Sequence, residues 1–285
     1  MSDRNNRYRP GTEELAERVV PTTIVSDFGT SGIWRYTESS DDWVQLTPYN
    51  PEDIAVAWDE DVIADFGPSG IWKWDYFSNQ WDQLSPYNPE DIVVAPDGDV
   101  VGDFGNSGVW KWDSFYKDWQ QLTTTNSEAL AVAPDGDVIG DFGWSGIWKW
   151  DSGTRGWKLL VSANAENIAI APDGDVVGDF GNDGIWRWDS FRDEWFQVIQ
   201  FNPETIAVSP DHDIVADFGV YGIWKQEANN GEWNQLLPYN PETISVAPDR
   251  DVIADFGVWG IWKWDYFDGE WDQLSTSNPT QMVIT

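Results

Sequence analysis

The segment Asp65-Phe-Gly-Pro-Ser-Gly-Ile-Trp-Lys-Trp74 decides the fold, because closely related versions of it recur along the chain. A fixed period of 20–50 residues is typical of solenoids, propellers and other repeat architectures. Most of the 22 tryptophans keep the same 38-residue step, and only Trp58, Trp144 and Trp259 lie outside it. Asp-Phe-Gly occurs seven times, 38 residues apart, beginning at Asp27, Asp65, Asp103, Asp141, Asp179, Asp217 and Asp255.

Residues 51–86 show how one unit is organised. Four short apolar runs, Ile54–Ala57, Val62–Phe66, Ile71–Trp74 and Trp81–Leu84, are separated by segments rich in Gly, Asp, Pro and Asn, which predicts four strands joined by turns. No segment keeps a helical period over ten residues, because Gly or Pro interrupts it. Seven such units predict an all-β, seven-bladed β-propeller of four-stranded antiparallel blades, with Trp side chains between the blades. An open solenoid, the rival architecture, would need unlike end caps.

The two ends of the chain predict how the ring closes. Residues 20–285 span seven periods of 38, but the last Asp-Phe-Gly unit is seven residues short and Val20–Ser26 supplies that number. We therefore expect Gln281–Thr285 to form the innermost strand of a blade whose other three strands come from Thr22–Leu46. Such closure by both termini leaves no open sheet edge. Residues 20–285 are predicted to be one domain, and the polar residues 1–19 a flexible N-terminal tail.

Composition excludes several classes of function. The net charge of −34, from 16 Lys and Arg against 50 Asp and Glu, disfavours nucleic acid and anionic lipid as partners. No run approaches 18 apolar residues, so we expect no membrane insertion. The absence of Cys excludes disulfides and thiolate chemistry. No secretory signal is visible, which favours a soluble protein that is cytoplasmic or released without a leader, and the compartment stays open.

Catalysis finds little support in the sequence. The single histidine, His212, lies in a predicted turn, and no nucleophile elbow, metalloprotease motif, P-loop or dinucleotide fingerprint occurs. Fifty carboxylates allow a glycosidase pair. However, a catalytic centre needs unlike groups that converge once, whereas a repetitive ring offers seven similar places and suits multivalent binding. The sequence therefore predicts a protein that is not an enzyme.

One face of the ring carries aromatic residues at positions that vary between units. This face holds the Gly-x-x-Gly turns and the loops that contain Asn before Pro. Sugar sites combine an aromatic ring with fixed polar groups, because the C–H face of a sugar stacks on the ring while its hydroxyls need partners. Capping of the core between blades and a protein interface are the alternatives. The candidate carbohydrate-binding residues are Trp144, Trp259, Tyr49, Tyr87, Tyr239, Asn50, Asn88 and Asn240.

The opposite face carries paired aspartates in six turns. Asp-x-Asp spacing is compatible with calcium, but the EF-hand pattern is absent and Asp-Gly is also an ordinary hairpin turn. A second charged pattern pairs the Asp of each Asp-Phe-Gly with a Lys or Arg on the third strand, such as Asp65 with Lys73, and predicts a structural ring of ion pairs. The candidate metal ligands are Asp97, Asp99, Asp135, Asp137, Asp173 and Asp175.

The repeat resembles that of the tachylectin-2 and tectonin propellers. The resemblance rests on the order Ile-Ala-Val-Ala-Pro-Asp-Gly-Asp-Val, Gly-Ile-Trp-Lys-Trp-Asp and Trp-x-Gln-Leu, and it covers residues 20–285. It implies a non-enzymatic lectin that binds glycans or glycoconjugates at several similar sites between blades. A period of 38 and a count of seven depart from those relatives. The alternatives are a protein–protein interaction scaffold and a designed or recently amplified repeat protein with no small ligand.

Overall fold

The structure is a computed structural model that describes residues 22–285, and it confirms the seven-bladed all-β propeller. Seven four-stranded antiparallel sheets form the blades. Blade 1 joins the last strand, Gln281–Ile284, to three strands within residues 23–47, and blades 2 to 7 follow along the chain, each built from four consecutive strands. The innermost strands contact one another around the whole ring. The predicted tail and the predicted start of the domain at residue 20 lie outside the described residues.

Each blade uses its strands in the same order from the axis outward. The innermost strands are β4 (Asp53–Val56), β8 (Asp91–Val94), β12 (Ala129–Val132), β16 (Asn167–Ile170), β20 (Thr205–Val208), β24 (Thr243–Val246) and β28 (Gln281–Ile284). The second strands are β1 (Thr23–Asp27), β5 (Val62–Asp65), β9 (Val100–Asp103), β13 (Val138–Asp141), β17 (Val176–Asp179), β21 (Ile214–Asp217) and β25 (Val252–Asp255).

The outer half of each blade is more exposed than the inner half. The third strands are β2 (Ile33–Thr37), β6 (Ile71–Asp75), β10 (Val109–Asp113), β14 (Ile147–Asp151), β18 (Ile185–Asp189), β22 (Ile223–Gln226) and β26 (Ile261–Trp264). The outer strands are β3 (Asp42–Thr47), β7 (Gln80–Ser85), β11 (Asp118–Gln121), β15 (Gly156–Val161), β19 (Glu194–Ile199), β23 (Trp233–Leu237) and β27 (Trp271–Ser275).

A one-turn 3₁₀ helix joins the second strand to the third strand in every blade. We call the face that carries these turns the upper face; it also carries the connections from each outer strand to the next blade. The lower face carries the turns after the innermost strands and the loops before the outer strands. The 3₁₀ turns are Gly29–Ser31, Gly67–Ser69, Gly105–Ser107, Gly143–Ser145, Gly181–Asp183, Gly219–Tyr221 and Gly257–Trp259.

The ring closes as the sequence predicts. β28 pairs with β1 in antiparallel register, with Val283 opposite Val25, and the amide of Thr23 donates to the carbonyl of Thr285 over 3.0 Å. Met282 is buried between blades 7 and 1, where it packs with Ile24 and Ile261. Both ends of the described chain are therefore held in one sheet.

Isoleucine and valine form the deepest part of the core, and this modifies the expected role of tryptophan. Among residues 22–285 the largest fully buried side chains are isoleucines, such as Ile63 and Ile71, which pack with Ile92 between blades 2 and 3. Trp74 and its counterparts are buried or half-buried, but the tryptophans at the outer edge, such as Trp81, are only half-buried. β-Branched residues fit the crowded pleated faces near the axis, where the blades are closest. Indoles cover the wider outer gap.

A β-bulge explains how the outer tryptophans connect blades. In blade 3, the amides of Leu122 and Thr123 both donate to the carbonyl of Val109, so the ladder leaves the Leu122 carbonyl without a partner inside its own sheet. Trp157 of blade 4 donates its indole N–H to that carbonyl over 3.0 Å. Similar indole bonds to the preceding blade occur at Trp43, Trp81, Trp119, Trp195 and Trp271.

The predicted ring of ion pairs exists, but it uses a different aspartate. Lys111 binds the turn residue Asp99 over 3.0 Å, and Lys149 binds Asp137 over 2.8 Å, on the lower half of the blades. The pairing of Asp65 with Lys73 is wrong, because Lys73 binds Asp61. In the antiparallel hairpin Asp65 lies opposite Ile71, and its carboxylate remains at the upper face.

Candidate ligand clefts between the blades

Three clefts open between adjacent blades on the upper face. We name each by its two blades. Cleft 5/6 has a volume of 320 Å³ and cleft 6/7 one of 370 Å³. Cleft 2/3 is larger, at 520 Å³. These volumes lie in or near the range of small-molecule sites.

The same repeat positions build all three clefts. In cleft 6/7 the preceding blade contributes Leu237 and Tyr239, while the next blade contributes Phe256 and Trp259 and two half-buried indoles. The phenylalanine of each Asp-Phe-Gly meets the outer-strand indole edge to face; for Phe256 and Trp271 the ring centroids are 5.9 Å apart. Each cleft is therefore a gap between two outer strands, floored by aromatic rings. Its remaining lining residues are Trp262 and Trp271 in cleft 6/7, and Ile199, Phe201, Phe218, Tyr221, Trp224 and Trp233 in cleft 5/6.

Glycine holds the turn that forms one rim of each cleft. Gly260 has a φ of +74°, and a Cβ at this position would collide with the carbonyl oxygen of Ser275. The turn can therefore approach the outer strand closely only when Gly occupies this position. The residue before this glycine, Trp259 in blade 7, is thereby placed over the cleft.

The indole groups that floor the clefts have no free donor at the turn. Trp262 donates its N–H to the carbonyl of Trp259 over 2.9 Å, and Gln273 donates to the same carbonyl over 2.8 Å. Trp110 does the same with the carbonyl of Ser107 in cleft 2/3. These indoles present ring faces and edges to a ligand, and they contribute no hydrogen bond to it.

Cleft 2/3 differs from the other two in its polar lining. Ser85, Asn88 and Ser107 line it beside Tyr87, in addition to the aromatic rings. Tyr87 is 72% exposed, so one face of its ring is available to a ligand. The remaining lining residues are Leu84, Pro86, Phe104, Trp110 and Trp119.

The predicted sugar-binding aromatics divide into two groups. Tyr87 lines cleft 2/3, and Tyr239 and Trp259 line cleft 6/7. Tyr49 occupies the equivalent loop position between blades 1 and 2 and is 72% exposed. Trp144 is the second residue of its 3₁₀ turn, is 97% exposed and lines none of the three clefts. A shift of one position along the turn separates Trp144 from Trp259.

The predicted asparagines have internal partners. Asn88 donates to Glu52 over 3.3 Å, and Asn50 donates to the carbonyl of Pro51 over 3.2 Å. The amide nitrogen of Asn240 donates to Glu204 over 3.4 Å, and rotation of the amide by half a turn places that nitrogen 3.1 Å from both oxygens of Asp217. Of these amides, that of Asn88 also borders one of the clefts.

The turn carboxylates predicted as calcium ligands accept bonds from protein donors. The carboxylate of Asp99 accepts the amide of Ser114 over 2.7 Å and binds Lys111, while Asp97 accepts the amide of Asp99. Protein donors therefore contact three of the four carboxylate oxygens of this Asp-x-Asp pair. Within residues 22–285, no three His, Cys, Asp or Glu side chains are grouped so that they could hold a metal ion. The same bonds recur for Asp135 with Asp137 and for Asp173 with Asp175.

The upper face is strongly acidic. Its 3₁₀ turns and inter-blade connections contain no Lys or Arg among residues 22–285, and six of the connections end in Glu. Burial, reinforced by the charge of Glu204, raises the pKa of Asp217 to about 7, although an N–H from Gly219 opposes the shift. Burial likewise raises the pKa of Asp65 and of Asp179 to about 7.

A proline 24 residues later in the chain explains which of these aspartates have the largest upward pKa shifts. Asp141 accepts the backbone N–H of Ala165, 24 residues later, over 2.9 Å. The equivalent residue after Asp217 is Pro241, which has no N–H to donate. The charged form of Asp217 lacks that bond, and its neutral form is therefore favoured at a higher pH. Proline occupies the same place after Asp65, Asp179 and Asp255.

Sequence reasoning missed much of the floor of the clefts. Trp110 and Trp119 belong to the tryptophan series that the sequence predicts between the blades, and Phe104 is the equally constant phenylalanine of Asp-Phe-Gly. They are half-buried and line cleft 2/3 as well. Their constancy signalled a shared environment, but it did not show that this environment opens to solvent.

Comparison with known proteins supports the fold. No family model and no curated protein matches the sequence. Among solved structures, one titled streptogramin B lyase is 15% identical with a TM-score of 0.58, over 79% of this chain and 83% of that chain. A virginiamycin B lyase from Staphylococcus aureus is 12% identical, with the same TM-score and the same coverage of both chains. Neither is a tachylectin-type lectin, so that resemblance stays a prediction.

The prediction that this chain is not an enzyme is contradicted by these neighbours. Both are lyases, so a ring of similar blades does not exclude a catalytic centre. The argument from symmetry was wrong because side chains at equivalent positions can differ while the backbone repeats, as Ser107 and Trp259 do here. At 12–15% identity the likeness shows the fold alone. No helix within residues 22–285 has the length and apolar character needed to cross a bilayer.

Proposed function

We propose that this protein is a lectin-like propeller that binds carbohydrate in similar clefts between blades. The observation that carries the proposal is the lining of cleft 2/3, where Tyr87, Trp110 and Trp119 share a 520 Å³ space with Ser107 and polar neighbours. Aromatic faces and a few placed polar groups are what a sugar needs.

Different lining residues would make different contacts with a sugar. The C–H face of a sugar ring would stack on the exposed ring of Tyr87 and over Trp110. The hydroxyls of Ser85 and Ser107 and the amide of Asn88 are the lining groups that can exchange hydrogen bonds with sugar hydroxyls. Because Asn88 already donates to Glu52, it would offer mainly its oxygen as an acceptor.

A second sugar site is expected one blade earlier. The boundary of blades 1 and 2 repeats these side chains with one change, Thr47 in place of Ser85, and it keeps Tyr49 in the loop and Ser69 in the turn. Three other boundaries carry Thr125, Ala163 and Ser277 in place of the loop aromatic and are expected not to bind. Two adjacent sites on one rigid ring would raise the avidity for a branched or polymeric glycan.

A glycan array, followed by calorimetry with the best ligand, tests this proposal. Tyr87→Thr gives cleft 2/3 the loop residue of the next boundary, and we expect it to weaken that site about tenfold, the effect of losing roughly one aromatic contact. The double variant Tyr49→Thr/Tyr87→Thr should abolish measurable binding. Trp144→Ser is the matched control, since it removes an exposed aromatic of the same face outside the three clefts. An array without a glycan ligand, or a double variant that binds normally, would refute the proposal.

A protein-interaction platform is the second candidate, and one observation favours it. Four phenylalanines stand at the same repeat position of the lower-face loops, and each is 72–97% exposed. Large exposed aromatics are enriched in protein interfaces. Protein capture that is lost when all four become serine, the residue blade 1 carries there, would support this role. These residues are Phe77, Phe115, Phe191 and Phe267.

A further inference from the structure

Clefts 5/6 and 6/7 have a different chemistry from cleft 2/3. Their linings consist of apolar and aromatic residues, and the phenol hydroxyls of Tyr221 and Tyr239 are the only polar side-chain groups outside the indoles. The turn position that carries Ser107 in cleft 2/3 carries Tyr221 in cleft 5/6 and Trp259 in cleft 6/7. Two neighbouring boundaries therefore share an aromatic specialisation.

These two clefts are poorly suited to a sugar. The indole N–H groups of Trp224 and Trp262 donate to the carbonyls of their own 3₁₀ turns, over 2.8 and 2.9 Å. A sugar carries several hydroxyls, but outside the indoles each cleft offers a single phenol hydroxyl as a partner. Most hydroxyls brought into either cleft would therefore lose water without gaining a hydrogen bond, which is unfavourable. An aromatic or alkyl group has no hydrogen bond with water to lose, and it gains apolar contact with six side chains. Cavities of 320 and 370 Å³ give room for a single ring with a short chain.

The surroundings of both clefts are acidic. No Lys or Arg lies in the turns or connections of the upper face among residues 22–285. The loop aromatic of cleft 6/7, Tyr239, is followed by Asn240, whose amide nitrogen lies 3.4 Å from Glu204 or, after rotation by half a turn, 3.1 Å from Asp217. Phe201 in cleft 5/6 is followed by Asn202, whose amide nitrogen, after rotation by half a turn, lies 3.3 Å from Asp179. The asparagine that follows each loop aromatic therefore contacts a carboxylate, and the faces of the aromatic rings themselves also attract cations.

We propose that clefts 5/6 and 6/7 bind small hydrophobic cations, molecules that join one aromatic or alkyl group to an ammonium. The apolar group enters the cleft between the loop aromatic and the turn aromatic. The ammonium remains at the rim, toward the carboxylates of the upper face. This site is separate from the proposed sugar site in its residues and in its ligand class.

Three probes of one shape and different charge test the proposal. Isothermal calorimetry or ligand-observed NMR at low salt compares 2-phenylethylamine, 2-phenylethanol and 3-phenylpropionate, which are cationic, neutral and anionic. For so few atoms we expect a Kd on the order of 1 mM for the amine. The alcohol should bind about tenfold more weakly, and the acid more weakly still. Raising the salt concentration to 0.5 M should remove most of the preference for the amine.

Variants taken from the chain's own repeats locate the site. Tyr221→Ser/Trp259→Ser gives both clefts the serine of four other units, and it should reduce amine affinity at least about tenfold through loss of aromatic contact. Phe201→Ala/Tyr239→Ser alters the opposite wall and should act in the same direction. Trp144→Ser should bind as the unaltered protein does. Circular dichroism and thermal melting report whether each variant keeps its fold.

Each outcome tests one part of the proposal. Equal affinity for amine and alcohol would overturn the charge preference, and unchanged binding in either folded double variant would overturn the location. Absence of binding by all three probes would overturn the proposal entirely. None of these results bears on sugar binding, which depends on Tyr87 and Tyr49, so the two proposals fail or stand independently.

Discussion

Closure of the ring through the C-terminal strand leads to a quantitative prediction. Met282 is 5% exposed and packs with Ile24, Tyr36 and Ile261 across the boundary of blades 7 and 1. If the terminal strand is as firmly packed as an internal one, Met282→Ala must cost as much as the same truncation elsewhere. Ile244 on β24 is the internal comparison, because it holds the equivalent position in blade 7 and is 4% exposed.

The expected magnitude follows from the buried volume that each truncation removes. Large-to-alanine substitutions in a closed core cost about 2–5 kcal/mol, which combines lost transfer free energy with the cost of the cavity. We expect about 3 kcal/mol for Met282→Ala and a value within about 1 kcal/mol of it for Ile244→Ala. Equilibrium urea denaturation measures both, with an unchanged slope showing that the unfolded reference state is the same.

One result would refute the reasoning about closure. If Met282→Ala costs less than about 0.5 kcal/mol, the size of an ordinary surface substitution, while Ile244→Ala costs the full amount, the terminal strand contributes little. β28 would then be a frayed end, and the blades would not need the C-terminal strand to hold together. A loss in both variants supports closure by packing and ladder hydrogen bonds together.

Three further predictions concern the upper face and the blade contacts. Trp157→Phe leaves the carbonyl of Leu122 without its donor, and we expect a loss of about 1–3 kcal/mol in unfolding free energy by urea titration; no loss would show that water replaces the indole. Because burial raises the pKa of Asp217 to about 7, the folded state holds a proton that the unfolded state releases near pH 4, so stability should fall as pH rises from about 4 to 7. Asp217→Asn should reduce that slope without removing it, because the pKa values of Asp65 and Asp179 are also raised to about 7; an unchanged profile would contradict the assignment. Gly260 and Gly269 share a φ of +74°, but only a Cβ added at Gly260 would collide with other atoms. Gly260→Ala should therefore lower the melting temperature more than Gly269→Ala, and equal effects would show that the φ angle alone matters.

The repeats in the sequence were sufficient to predict the architecture. The 38-residue step, the Gly-rich turns and the seven missing residues at the C terminus predicted seven blades and the pairing of β28 with β1. These features succeed because strand alternation and turn chemistry are local, and because a closed ring has to account for every strand edge.

The partners of the ion pairs and the accessibility of the aromatic residues could not be predicted from local sequence patterns. Lys73 binds Asp61 and not Asp65, since the hairpin register decides which carboxylate its ammonium reaches. Trp144 and Trp259 look equivalent as turn aromatics, yet one projects into solvent and the other lines a cleft. One position along a single turn of 3₁₀ helix rotates a side chain by about a third of a circle.

The amino-acid sequence by itself determined the number of blades, the order of strands in each blade and the way the termini meet, because these depend on periodicity and on short-range backbone preferences. Only the tertiary structure decided which aromatic rings remain accessible and which carboxylates are already paired. Those properties depend on how closely two blades approach. That distance is set by isoleucines near the axis and by indole bonds to bulged strands of the neighbouring blade, contacts that join residues about 35 positions apart.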